Sequence, residues 1–301
     1  MAIIRLSPAC KDYLWGGTRL KEDFDIKSDL VPTAEAWVLS CHPDGPSRLP
    51  DGTTLPDYIA AHSGCLGTHC AGVSDLPLIK LIDAKKDLSI QVHPSDNYAQ
   101  AHEGQPGKTE MWYVLDCDPG AFLYYGFSQA ISQAELARRI RDNPLPEVLN
   151  AVPVKKGDLF FIPAGTLHAI GGGIVIAEVQ QNSNVTYRVC DYGRLGADGK
   201  PRALHIEQAL AVTECRPPQK QFDFGGHLAK CPYFTVDVFS HGFAEVCGPD
   251  SFVSLLVTEG SGRVQTGDQT VAVRKGDSLF LPAGSGRYEV SGDCTVLRTF
   301  V

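Results

Sequence analysis

A mainly β fold built as two barrels with a few short helices is predicted by three observations. Short apolar or alternating runs are punctuated by thirty Gly and twenty Pro, helix start signals occur at few places, and one segment is found twice. The runs PLIKLIDA (77–84), MWYVLD (111–116), DLFFIPA (158–164) and GIVIAEVQ (173–180) have the length and the β-branched and aromatic content of strands, at spacings typical of sandwiches and barrels. Ser132 followed by Glu135 is a capping-box pattern for a helix over 132–141, and Thr54 with Pro56 just inside starts another over 55–63. A third short helix is expected over His205–Val212.

Composition narrows the classes of function. The chain has 301 residues, 43% hydrophobic and 21% charged, which suits two compact domains or one large all-β unit with a real core. A net charge of -8 argues against nucleic acid, whose binders present a basic face; a small anion could still bind locally. The opening MAIIRLSPACKDYLWGG lacks an apolar core of roughly 7–15 residues, so no secretory signal is expected. No run of about 18 apolar residues points to a membrane span. Ten cysteines without a C-x-x-C pair fit neither a zinc ribbon nor a thioredoxin-like site, and read as reduced thiols in a cytoplasmic protein.

The repeat is KGDLFFIPAGTLH (156–168), which recurs as KGDSLFLPAGSGR (275–287), 119 residues later. Both copies keep Gly, five residues, Pro, one residue, Gly, two residues and a variable last position, His168 in the first and Arg287 in the second. This resembles the second signature motif of the cupin family, small jelly-roll barrels in which that histidine binds a metal. The implied architecture is two cupin-like jelly-roll barrels: a catalytic domain over 1–215 and a degenerate, metal-free domain over 222–301, with RPPQKQ (216–221) between them.

Strand periodicity supplies the other candidate ligands. In LSIQVHP (88–94), Gln91 and His93 are two apart, so they share one face of a strand at about 7 Å. Glu110 heads the next apolar strand in GKTEMWYVL. Gln91, His93, Glu110 and His168 would offer two oxygen and two nitrogen ligands with room for water, which suits one catalytic Zn²⁺ better than a closed structural site. The plainer reading is a polar pair at a strand end and a solvated carboxylate.

Longer stretches carry a closer resemblance. LPLIKLIDAKKDLSIQVHP (76–94), GKTEMWYVL (107–115), FFIPAGTLHAIGGGIVIAEVQQNSNVTYRVCDYGR (160–194) and LHIEQAL (204–210), with LWGGTRL and AEAWVLSCHPDGPS earlier, resemble the short bacterial form of the type I mannose-6-phosphate isomerases. The likeness covers roughly residues 6–215. TAEAW (33–37) departs from it by lacking Gly before Glu, which affects only a turn and no expected ligand. The resemblance implies a zinc-dependent aldose–ketose isomerase interconverting mannose 6-phosphate and fructose 6-phosphate. It assigns the metal to Gln91, His93, Glu110 and His168, and places Lys108, Glu178 and Arg188 in the active site.

Those residue types suit the chemistry. Moving a carbonyl from C1 to C2 needs a group that takes a proton from one carbon and returns it to the next, with the enediolate oxygen stabilised meanwhile. Glu178 or Lys108 could carry the proton; the sequence leaves both open. The Arg188 guanidinium could meet the developing charge, the alternative being a structural ion pair with Asp191. For the sugar phosphate, Ser89 shares the inward face of Gln91 and His93, and Lys108, Arg188 and Arg194 are cationic candidates. Trp15, Gly16 and Gly17 are placed at the pocket rim. No Walker-type loop is present, since GGG (171–173) lacks the following Lys-Ser/Thr.

Other classes remain open at this stage: an iron cupin dioxygenase, or a metal-binding cupin that binds sugars or regulates without catalysis. Iron cupins present three His and one Glu, so Gln91 in the first position argues against oxygen chemistry. His42, His62, His69, His227 and His241 read as solvated, and His102 and His205 as possible supports of the site. Arg287 in place of His168 would put a fixed cation, paired for instance with Glu289, in the second barrel.

Overall fold

The apolar runs form strands that are buried on both sides. Leu78–Ala84, Glu110–Cys117, Leu159–Ile162 and Ile174–Gln180 join Ala9–Lys11 and Glu35–Leu39 in a six-stranded antiparallel sheet. Every residue of Leu78–Ala84 and of Ile174–Gln180 is buried. Alternation sorts them: Ile82, Ala84, Ile174 and Ile176 pack into one cluster, and Ile79, Leu81, Val175, Ala177 and Val179 into another on the opposite face. The first cluster reaches across to Leu123, Tyr125 and Ile170 of a second, five-stranded sheet, ordered Tyr187–Cys190, Ile90–Val92, His168–Ile170, Phe122–Phe127 and Leu149–Pro153. The space between these two sheets holds the candidate site.

The computed structural model describes residues 3–142, 145–196, 199–219 and 221–301. Lys220, within the expected linker 216–221, lies outside the described residues. The expected helices are Leu55–Ala61, Gln133–Asp142 and Ile206–Val212. At the first, the Asp57 N–H donates to Thr54 Oγ1 at 3.3 Å; at the second, the Glu135 N–H donates to Ser132 Oγ at 3.1 Å. Glu135 completes no capping box, because Arg138 and Arg139 take its carboxylate instead. Two helices add to the expectation, Arg19–Glu22 and Asp96–Glu103. The second starts after Ser95 and stops at Gly104 in the left-handed conformation (φ 65°), a stop that glycine makes without steric penalty.

The C-terminal strands form an eight-stranded antiparallel sheet among the described residues, dominated by the long strands Val253–Thr266 and Gly286–Phe300. One of its members comes from the other end of the chain: Ile4–Leu6 pairs with Ser278–Leu281. A division of the chain at 215 and 222 therefore leaves the first strand on the wrong side, because Ile4 and Leu6 are buried among Phe234, Leu256, Phe280 and Leu297. The expectation for Arg287 also needs correcting. It is exposed, paired across the sheet with Val246, while the next residue, Tyr288, turns inward at 1% exposure. The repeat thus runs one residue out of phase at its last position, and Arg287 brings no cation into the second barrel.

The shared core makes the C-terminal domain a lid on the outer face of the six-stranded sheet. Removing 222–301 would bare Val38, Leu81, Met111, Val175 and Val179 and orphan the first strand. A 1–220 fragment is expected to aggregate or unfold on expression. A monodisperse, fully active fragment in size-exclusion chromatography and assay would contradict this.

Candidate metal centre and active site

Two sheets and one loop bring three buried ligand atoms together. His93 follows Ile90–Val92, His168 opens His168–Ile170, and Glu110 opens Glu110–Cys117. Their ligating atoms all lie within 4.8 Å of one another, with His93 1% exposed and Glu110 and His168 0% exposed. His168 faces Gln91 directly across the antiparallel pair, and Gln91, with Lys108 and Glu178, lines a cavity next to the trio.

Each imidazole is oriented from behind. His93 Nδ1 lies 2.9 Å from the Val185 carbonyl and His168 Nδ1 lies 2.8 Å from the Thr166 carbonyl, so both Nδ1–H groups donate outward and leave Nε2 as a lone pair. His93 Nε2 is 3.6 Å from Glu110 Oε2 and His168 Nε2 is 3.4 Å from Glu110 Oε1. His168 Nε2 and Glu110 Oε1 have no hydrogen-bond partner among the described residues. Burial, then the Lys108 charge, hold His93 well below the ordinary histidine range. Burial lowers His168 to about 4. Neutral imidazoles and a carboxylate converging with acceptor lone pairs, of which His168 Nε2 and Glu110 Oε1 are left unsatisfied, are a donor set for a cation. The arrangement fits Zn²⁺.

A second layer of charge surrounds this trio. Lys108 Nζ is 2.7 Å from Glu110 Oε2, 3.1 Å from His93 Nε2 and 3.8 Å from Glu178 Oε1. Glu178, expected in the site, faces inward at 3% exposure, with Oε1 3.1 Å from Lys80 Nζ and Oε2 accepting from Trp112 Nε1 at 2.9 Å. Burial pushes the Glu178 carboxyl up, but Lys108 and Lys80 outweigh it and hold the group below the usual carboxylate range. Burial and the Glu178 charge push Glu110 the other way. Lys80 is buried too; desolvation acts to lower it, and Glu178, Glu35 and Glu110 more than offset that and raise it.

Ser89 and Arg188, both expected in the site, line that cavity. Arg188 Nε donates to Ser89 Oγ at 3.2 Å, and Ser89 donates onward to Gln91 Oε1 at 3.3 Å. No ion pair joins Arg188 to Asp191 among the described residues; Arg194 and Arg202 hold that carboxylate instead. Burial and the nearby Arg202 lower the Arg188 guanidinium, the mark of a cation that an incoming anion would relieve. The Arg188 N–H donates to His205 Nδ1 at 3.2 Å, so His205 supports the site. His102 stacks on Tyr98 at 3.9 Å and stays exposed. Arg194 does not line the cavity; Arg202 does.

Trp15 lines the rim as expected, stacked on Tyr13 at 5.5 Å. The two glycines act behind it: a Cβ on Gly16 would sit 2.4 Å from Ala34 Cβ and one on Gly17 2.3 Å from Asp83 Oδ2. TAEAW (33–37) proves more than a turn, since Glu35 lines the cavity and accepts from Trp37 Nε1 at 2.7 Å. His42, expected in solvent, is buried at 5% exposure with its ring 5.7 Å from Trp37.

The residues not expected here are Glu35, Lys80, Trp112 and Arg202. Lys80 carried a readable signal, as the lone basic residue in PLIKLIDA; a buried lysine in an apolar strand needs a partner. Arg202 carried none, because a loop residue's direction is set by distant chain.

Comparison with known proteins agrees with this fold. The family model described as phosphomannose isomerase type I, catalytic domain, matches residues 3–115, and that described as mannose-6-phosphate isomerase, cupin domain, matches 226–301. A mannose-6-phosphate isomerase of Streptococcus mutans is 38% identical over 95% of this chain and 94% of its own. The crystal structure of the mannose 6-phosphate isomerase from Bacillus subtilis superposes with a TM-score of 0.93 at 35% identity, covering 100% of both chains. A mannose 6-phosphate isomerase bound with zinc and yttrium shares the fold at a TM-score of 0.78, 19% identical over 100% of this chain and 99% of its own.

Proposed function

The chain belongs to the type I mannose-6-phosphate isomerase family, and from that premise we propose that it interconverts mannose 6-phosphate and fructose 6-phosphate by proton transfer through an enediol. Gln91, His93, Glu110 and His168 would hold one Zn²⁺ per chain. The observation that carries the reading is the convergence of two outward-tethered imidazoles on the buried Glu110, beside a cavity with cations on its other wall. When bound, Zn²⁺ supplies Lewis-acid charge next to the substrate oxygens.

The chain's own residues divide the remaining work. The Glu178 carboxylate has one oxygen on Lys80 and the other on Trp112, so both of its oxygens are already engaged. Proton transfer between C1 and C2 therefore falls to Lys108, which takes the proton as the free amine and returns it as the ammonium, with Glu178 and Glu110 as fixed counter-charges. Arg188 lies opposite, where its guanidinium can stabilise the enediolate oxygen, and Ser89 holds that guanidinium in place. Ser89 and Arg188 are the donors offered to the sugar phosphate. A small sugar phosphate is the partner this cavity suits, and a cytoplasmic setting is the one in which its scattered thiols stay reduced.

The reading is tested by a coupled assay for fructose 6-phosphate formed from mannose 6-phosphate, with and without exhaustive chelation. The zinc-loaded protein is expected to turn over and the chelated protein to stop, with activity returning on zinc addition. Inactivity of the zinc-loaded protein would sink the isomerase assignment, and activity unaffected by complete metal removal would sink the metal.

A further inference from the structure

Three consecutive backbone N–H groups lead into Glu110, and each is tied to a different partner. The Gly107 N–H donates to Asp96 Oδ1 at 2.8 Å, the Lys108 N–H to the Pro94 carbonyl at 3.0 Å, and the Thr109 N–H to Gln181 Oε1 at 2.8 Å. Gln181 closes the loop: its Nε2 donates to Asp96 Oδ1 at 2.8 Å, and its backbone N–H to the Thr109 carbonyl at 3.1 Å. Asp96 is the hub of this network, three residues after His93. Its other oxygen, Oδ2, accepts from the Tyr233 hydroxyl. Tyr233 belongs to the C-terminal domain, in the turn between Ala229–Cys231 and Phe234–Phe239.

The contact between the segments is tight. A Cβ on Gly107 would lie 2.5 Å from Asp96 N and 2.6 Å from the Ser95 carbonyl carbon, so 107 and 94–96 cannot slide past one another. Burial, and then the Asp96 partner, push the Tyr233 phenol up to about 12, which keeps it a donor. The C-terminal domain thus reaches the base of the loop that carries Lys108.

We propose that Asp96 and Tyr233 are positioning residues for the reaction: through this hydrogen bond the C-terminal domain fixes Gly107–Thr109 and so holds the Lys108 ammonium at Glu110 and Glu178. The proposal rests on the isomerase reading, with Lys108 as the proton carrier. Displacing a reacting group by about 1 Å costs on the order of 10²-fold in rate, so loss of the hub should appear in kcat and not in substrate binding.

The test uses the full-length, zinc-loaded protein and its variants Tyr233→Phe, Asp96→Ala and Asp96→Asn, measured well below their melting temperatures. Tyr233→Phe is expected to lower kcat about tenfold and Asp96→Ala about 100-fold, with KM within about twofold and zinc stoichiometry unchanged. Asp96→Asn should recover part of the loss, because its Oδ1 can still accept from Gly107 and Gln181. Hydrogen–deuterium exchange, a readout independent of activity, should show faster exchange over 104–110 in Tyr233→Phe. Faster exchange with unchanged kcat would overturn the catalytic coupling, and unchanged exchange would overturn the mechanical one. An inactive zinc-loaded wild type overturns the isomerase reading and the catalytic half of the proposal with it, while the exchange result judges the tether by itself.

Discussion

His93→Ala is expected to abolish zinc retention through gel filtration and to lower kcat/KM on mannose 6-phosphate by at least about 10³-fold, taking several kcal/mol of lost stabilisation at 1.36 kcal/mol per decade. The reason is geometric. His93 Nε2 is one of two imidazole nitrogens aimed at Glu110, and its Nδ1 is fixed on the Val185 carbonyl. Without it Lys108 loses one of its neighbours and stays paired to Glu110, a cation left close to the place another must enter. The variant also leaves the Val185 carbonyl without its partner, a cost of about 1–3 kcal/mol to folding, so circular dichroism should accompany metal analysis. Stoichiometric zinc in folded His93→Ala would refute the assigned site.

Arg188→Ala separates chemistry from metal binding. The variant is expected to keep its zinc and lose about 10²–10³-fold in kcat, the scale for removing one preorganised donor from a developing oxyanion. Arg188 touches none of the three clustered ligand atoms; its link to the metal side runs through Ser89 to Gln91. Loss of the guanidinium should therefore leave His93, Glu110 and His168 undisturbed. A fully active Arg188→Ala would remove it from the transition state, and a zinc-free one would show that Ser89 and Gln91 depend on it.

The parts of this site that were legible in the sequence lie on regular strands or in the repeat. A period of two puts Gln91 and Ser89 on one face, the repeat singles out His168, and the resemblance to a known family adds Lys108, Glu178 and Arg188. Glu35 and Lys80 were equally inward but unexpected. Their burial follows from the five-stranded sheet stacking over the inner face of the six-stranded one, which brings together residues far apart in the chain such as Ile82 and Ile170. Arg287 shows the converse. Its spacing matches His168, yet a one-residue phase difference turns it outward, and motif spacing alone does not report phase. The helix Asp96–Glu103 had its signals in Ser95 and Gly104, though it follows a strand so closely that the strand pattern masks it.

The sequence by itself determined the β character and the paired barrels, because strand periodicity and motif spacing are local properties written along the chain, and its resemblance to a known family supplied the isomerase assignment. Only the tertiary structure decided which charges meet: Lys80 with Glu178, Arg202 with Asp191, Tyr233 with Asp96, and the first strand with the last domain. All but Arg202 with Asp191, eleven residues apart, join segments far apart in the chain. Their partners are chosen by how two sheets stack and where buried charge can be neutralised, a balance of desolvation against pairing that exists only once the chain has folded.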